Sequence, residues 1–220
     1  MVRRLLSYLI PMNVASRKST WSKNLEITWN NGQLVMDSKN TNYSYGSLQR
    51  ILRKGLQSIG YKEICTMEHI LVLGVAGGSV IKTLVDEVKF KGKITGVDID
   101  AQVIAMANEY FKLNEIPNLD IIIDDAFEFV LKTKHKYNLI IIDIFQDTTM
   151  PNFLFEAFFS KRLHFLLEDR GILLFNTMLL SAKDNLRNQQ YIKEVQPLGF
   201  DIQLIPRVEE HNELIIARKG

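Results

Sequence analysis

Three aspartates stand where a chain would place carboxylates for a ligand. Asp98, Asp125 and Asp143 each lie at or just past the end of an apolar, β-type run. A carboxylate is costly to bury and must find donors. One such residue is unremarkable as a helix N-cap, whereas three on successive run ends point to a shared ligand. The second feature is the turn Gly74-Val75-Ala76-Gly77-Gly78, which follows the run Ile70 to Leu73. Glycines here let the backbone pass close to a ligand with no Cβ in the way. Asp98, at the tip of the next run, can then accept two hydrogen bonds from a ribose diol. Ala76 stands where a dinucleotide-binding G-x-G-x-x-G would place its second glycine, and there is no Walker lysine. The pattern favours a nucleoside over a pyrophosphate.

These residues need elements to hold them. Ile70 to Leu73, a helical segment over about Val80 to Val88, and Lys93 to Val97 predict a β-α-β unit. Open α/β sheets bind ligands at the carboxyl ends of their strands. Ala101 to Phe111 predicts a helix, Leu119 to Ile123 a strand and Phe127 to Thr133 a helix. Leu139 to Ile142 is apolar without alternation, as in a strand buried on both faces. A Phe-rich helix over Phe153 to Leu167 follows, then a strand from Gly171 to Phe175 ending in Asn176. A helix over Tyr191 to Leu198 precedes a terminal hairpin of Phe200 to Ile205 and Glu213 to Ala217. Upstream, Leu25 to Trp29 and Gln33 to Met36 flank Asn30-Asn31-Gly32 as a β-hairpin. A helix over Leu48 to Ile59 ends at Gly60. The expected class is α/β: a mostly parallel Rossmann-like sheet with a C-terminal antiparallel hairpin, plus a small N-terminal β-hairpin module. Residues 1–60 form the N-terminal helix, hairpin and linking helix, and residues 61–220 the nucleotide-binding domain.

Composition narrows the function classes. The chain has 220 residues, 46% of them hydrophobic, enough for one α/β domain with an appendage. A net charge of +2 gives no electrostatic case for a nucleic-acid partner. No run approaches the ~18 apolar residues of a membrane span. The N-terminal stretch MVRRLLSYLIPM reads as a short amphipathic helix stopped by Pro11 rather than a secretory signal. The single cysteine, Cys65, fits a reducing compartment, hence a cytoplasmic expectation. His69, His135, His164 and His211 are scattered, with no metal-ligand spacing, so no metal site is expected.

The segments ILVLGVAGGSV, GVDIDAQVIAMANEYF, DDAFEFVLKTKHKYNLIIIDIF and RGILLFN resemble the class I S-adenosylmethionine-dependent transferase fold. More narrowly, they resemble the spermidine synthase (polyamine aminopropyltransferase) family. The resemblance implies that the turn with Gly74, Gly77 and Gly78 lies against the methionine-like tail of the nucleotide. It implies that Asp98 holds the ribose and that Asp125 and Ala126 meet the adenine. Asp143 would sit beside the reacting sulfonium. The hairpin and the loop carrying Tyr43 and Tyr45 match the small region that covers the acceptor. The co-substrate would be S-adenosylmethionine or its decarboxylated form, and the family's habit of association implies a homodimer.

The departures bear on the reaction. Aminopropyl-transferring members carry an Asp inside the glycine turn, where this chain has Gly77. After the strand ending at Asp143 they read Asp-Ser-Ser-Asp-Pro, and the second Asp handles the attacking amine. Gln146 occupies that position here, with Asp147 one residue later. Glutamine can hydrogen-bond an amine but cannot take its proton at neutral pH. The expectation is therefore methyl transfer to a small acceptor, with Asp143, Asp147 and Gln146 as catalytic candidates. Aminopropyl transfer to putrescine or a related amine is the alternative, and a non-catalytic nucleoside-binding or scaffold protein is another.

Overall fold

The computed structural model describes the chain except residues 1, 22, 39–41 and 146–148, and the side chains of residues 23, 38 and 42–44. The N-terminal region holds a short helix, α1 (Val2–Leu6), and a four-stranded antiparallel sheet of β1 (Met12–Ser19), β2 (Lys23–Asn30), β3 (Gln33–Ser38) and β4 (Asn42–Ser44). The expected hairpin is present as β2 and β3, and it is flanked by two strands that periodicity does not reveal. β1 carries a bulge between Asn13 and Ala15, which breaks its alternation.

The main sheet contains β5 (His69–Leu73), β6 (Lys93–Asp98), β7 (Leu119–Ile123), β8 (Tyr137–Ile142), β9 (Leu167–Met178), β10 (Phe200–Val208) and β11 (Asn212–Lys219). Their spatial order is β10-β11-β9-β8-β5-β6-β7. The pairs from β9 through β7 are parallel, and β11 is antiparallel to both neighbours. The chain order reverses between β5 and β8, so a crevice opens at their carboxyl ends.

Side-chain parity sorts the core into two layers. Ile70, Val72, Ile94, Leu139, Ile141, Leu174, Leu214 and Ile216 face one layer. That layer is covered by α2 (Ser47–Ile59), α4 (Ser79–Lys82), α5 (Ala101–Phe111) and the N-terminal sheet through Leu25, Ile27 and Met36. Leu71, Leu73, Val97, Ile140, Ile142, Phe175 and Ile215 face the other, covered by α6 (Ala126–Lys132), α7 (Ala157–Leu166) and α8 (Ala182–Val195). The short α3 (Tyr61–Cys65) leads into β5.

One helical expectation is refined and two are corrected. The segment after the glycine turn is α-helical only to Lys82 and continues as a π-helical turn over Thr83–Val88. The Phe-rich helix is broken: a 3-10 turn, Asn152–Phe155, follows Pro151, and α7 restarts at Ala157 after an extended Glu156. The helix expected over Tyr191 to Leu198 begins at Ala182 and gives way to a 3-10 turn at Gln196–Leu198. Its inward face carries Asn188, a polar residue that hides the apolar period.

Candidate active site

One row of residues crosses the strand tips on a single face of the sheet. Register places Leu73 beside both Val97 and Ile142, Ile142 beside Phe175, and Leu214 beside Asn176. One residue further along, Asp98 on β6, Gly74 just past β5, Asp143 just past β8 and Asn176 on β9 stand side by side. Asn212, opposite Met178 at the start of β11, extends the row by a diagonal step. Period-two alternation therefore brings together residues that span well over half the sequence.

Gly74 is fixed by packing. It has φ of 87°, and a Cβ there would lie 2.2 Å from the Asp143 carbonyl oxygen. Only glycine lets the turn leave β5 against the end of β8. Ala76, with φ of 48°, and Gly78, with φ of 79°, complete a left-handed course that leads into α4.

Asp98 closes this turn. Its Oδ2 accepts from the Val75 N–H at 3.0 Å and the Ala76 N–H at 2.8 Å, and its Oδ1 accepts from the Asp100 N–H at 2.9 Å. Burial pushes its carboxyl above the usual range, and the three backbone donors pull part of the way back. Asp100 caps α5 through the N–H groups of Gln102 and Val103 and receives the Ser19 hydroxyl from β1. Through Ser19 and Asp100, the N-terminal sheet reaches the loop that holds Asp98.

Asp143 has a different environment. Its N–H donates to the Leu73 carbonyl at 2.9 Å, and its Oδ1 accepts from Asn176 Nδ2 at 2.8 Å. Burial lifts its carboxyl to about 6, and the Asn176 bond opposes that rise. Asn176 is fully buried, and its own Oδ1 accepts from Asn212 Nδ2 at 2.9 Å. These two asparagines are the residues that sequence reasoning missed. Asn176 was visible only as a polar residue ending an apolar run, and Asn212 lies inside a charged turn.

The remaining candidates divide. Asp125 is the N-cap of α6, accepting from the Phe127 N–H at 2.7 Å through Oδ1, with Ala126 as the first helical residue. Asp124, just before it, is joined to the β6 tip by its N–H bond to the Asp98 carbonyl. Gly77 is buried within the turn. Tyr45 stacks on Phe111 with ring centroids 4.4 Å apart, at the last residue of α5, and burial pushes its hydroxyl pKa up. The α5 helix is roughly 16 Å long, so this contact lies a helix length from the Asp100 cap. The Tyr43 side chain and residues Gln146 and Asp147 lie outside the described residues. Two of the scattered histidines meet: His69 and His135 have ring centroids 6.2 Å apart beside Tyr137, at the opposite, amino-terminal end of the sheet. Among the described residues no group of three or more His, Cys, Asp or Glu could hold a metal ion, and no helix is long and apolar enough to cross a membrane.

This arrangement matches known proteins at two levels. The structure is similar to the spermidine synthase of Thermotoga maritima, with a TM-score of 0.70 and 18% identity, covering 95% of this chain and 73% of that one. It is also similar to human methyltransferase-like protein 13 in complex with SAH, with a TM-score of 0.67 and 18% identity over 80% of this chain and 83% of that one. These likenesses give the class I methyltransferase-like fold. In sequence, the chain is 30% identical over 115 residues to the polyamine aminopropyltransferase of Bacillus subtilis, covering 50% of this chain and 41% of that protein. The chain thus spans less than half the length of this curated relative. A model of the spermine/spermidine synthase domain matches residues 50–211, which takes in the glycine turn, Asp98, Asp125, Asp143 and Asn176 and stops one residue short of Asn212. With that match over most of its length, the chain belongs to the spermine/spermidine synthase family.

Proposed function

We propose that this chain transfers an aminopropyl group from decarboxylated S-adenosylmethionine to a small amine acceptor. The observation that carries the reading is the strand-tip row, in which the Asp143 carboxylate stands directly beside the glycine turn. The sulfonium co-substrate supplies an activated electrophile, so the protein has to orient a nucleophile, exclude water and manage one proton. Asp98 and Asp125 fit the nucleoside half. Asp125 uses Oδ1 as a cap and has Oδ2 for an exocyclic amine. Asp143 uses Oδ1 for Asn176 and has Oδ2 for the acceptor amine. With its carboxyl lifted to about 6, Asp143 is ionised at neutral pH and basic enough to draw a proton from an attacking amine.

The turn also bears on which co-substrate fits. A methionine carboxylate would need a cation or free donors, yet the Val75 and Ala76 N–H groups already bond Asp98. The stretch from Gly74 to Ile81 contains neither Lys nor Arg. The decarboxylated form asks for no such partner. This supports aminopropyl transfer over the methyl transfer expected from Gly77 and Gln146, as do the polyamine aminopropyltransferases among the relatives. Asp147 completes the proposal as a second acceptor-side carboxylate, with Gln146 and Tyr43 as hydrogen-bonding partners and Tyr45 supporting the same loop. The proposed setting is a cytoplasmic homodimer.

Calorimetry of S-adenosylmethionine and its decarboxylated form, side by side, tests the reading together with a transfer assay on putrescine. The expected result is at least a tenfold preference for the decarboxylated form and formation of the aminopropylated amine. Preference for the carboxylated form would return the assignment to methyl transfer.

A further inference from the structure

Asn176 is a fully buried carboxamide held between two partners. Its Nδ2 donates to Asp143 Oδ1 at 2.8 Å, and its Oδ1 accepts from Asn212 Nδ2 at 2.9 Å. A carboxamide has one donor end and one acceptor end. If it turned over, its oxygen would face the Asp143 carboxylate, and that pair could bond only with Asp143 protonated. Two partners oppose the turn: the Asp143 carboxylate, which needs a donor, and the Asn212 amide on the far side, which needs an acceptor. Asn212 is itself nearly buried, and its Nδ2 also lies 3.5 Å from the Met178 sulfur, so it presents its amide nitrogen to a strip of acceptors.

We propose that Asn212 is a positioning residue: by fixing which way the Asn176 carboxamide faces, it aims the donor that holds Asp143 ionised and oriented toward the acceptor. Asn212 lies on β11, two strands from Asp143, and acts only through Asn176. The inference deepens the transferase reading and rests on it for the role of Asp143. The hydrogen-bond logic itself rests on the three side chains. Around Asp143, the described groups from neighbouring strands are Asn176 on β9 and the Gly74 backbone on β5, with the Asp98 carboxylate beyond on β6. Asn176 is the hydrogen-bond partner that opposes the effect of burial on Asp143.

The test is the titration of the Asp143 carboxyl, followed by NMR on protein labelled at the aspartate side-chain carbon, with Asp143→Asn to assign the signal. Asn212→Leu removes the far donor while keeping the branched shape of the side chain. Asn212→Asp is isosteric and offers only acceptors once ionised, so it should draw the Asn176 amide nitrogen toward itself. The expected result is an upward move of the Asp143 midpoint by about one unit in Asn212→Leu and by more in Asn212→Asp. Decarboxylated S-adenosylmethionine should bind both variants within about threefold of the parent, while the acid limb of kcat moves with the midpoint. If Asn212→Leu does not fold, the uncharged Asn212→Ala takes its place, because the charge of the Asp variant raises the midpoint by repulsion alone. An unmoved midpoint in a folded variant overturns the inference. Failure of the transferase reading would show separately, as loss of nucleoside binding or transfer in the parent protein, and would leave the titration result standing.

Discussion

At the scale of single residues, Asp143 sets stability against activity. Its carboxyl, lifted by burial to about 6, lies above the ordinary aspartate value of 3.8, so between those values the folded state holds more protons than the unfolded one. Stability contributed by the protonated form is therefore present below pH ~4 and falls as pH rises to ~6, by at most about 3 kcal/mol. Asp143→Asn should remove that loss. Denaturant titrations should find the variant at least as stable as the parent at pH 7, while transfer falls by two orders of magnitude or more. A variant less stable at pH 7 than the parent would show that the carboxylate is better solvated than its surroundings imply. Gly74→Ala makes the opposite case. Its Cβ would meet the Asp143 carbonyl oxygen at 2.2 Å in a left-handed conformation, and chemical denaturation should register a loss of roughly 2–4 kcal/mol.

At the scale of elements, β1 matters most and was least legible. Met12 to Ser19 reads as polar and basic, and its bulge at Asn13 and Ala15 interrupts alternation. Yet this strand lies along α5, with Arg17 paired to Glu109 and the Ser19 hydroxyl bonded to Asp100. The ion pair is more than a third exposed, so Arg17→Ala should cost well under 1 kcal/mol. Ser19→Ala should cost about 1 kcal/mol and weaken nucleoside binding several-fold, because Asp100 is bonded directly to Asp98. Calorimetry on the pair of variants separates the two effects, and equal binding by both would detach β1 from the site. The parallel strands were legible for the opposite reason. Buried on both faces, they read as unbroken apolar runs, and only their ends and the helices carrying polar inward residues were misjudged.

At the scale of the whole molecule, the N-terminal sheet shares a core with the face of the main sheet that carries the strand-tip row. Leu25, Ile27 and Met36 belong to the same buried cluster as Leu52, Leu56, Ile70 and Ile141. A boundary near residue 60 would then separate sequence regions rather than folding units. Ile27→Ala should cost about 2–4 kcal/mol, and Trp29 fluorescence should report the same single transition as far-UV circular dichroism. Two resolved transitions would restore independent domains. The sheet and the positions of the three candidate aspartates could be read from sequence because each aspartate stands at or just past the end of a β-type run. Asn176 and Asn212 could not be paired, since their meeting depends on strand order and on which face of β11 turns toward β9.

That dependence makes the length of a surface turn part of the chemistry. β10 and β11 are joined across Glu209 to His211, with Glu209 and Glu210 in left-handed backbone. Neighbouring residues on a strand face opposite sides, so Glu213 lies on the other layer, against Asn188 and Thr177. Deleting one residue from the turn, with the slip carried into β11, would move Glu213 into the position of Asn212. A carboxylate would then stand where the Asn176 oxygen needs a donor. Shortening of this exposed hairpin would be filtered by an electrostatic demand set deep in the strand-tip row.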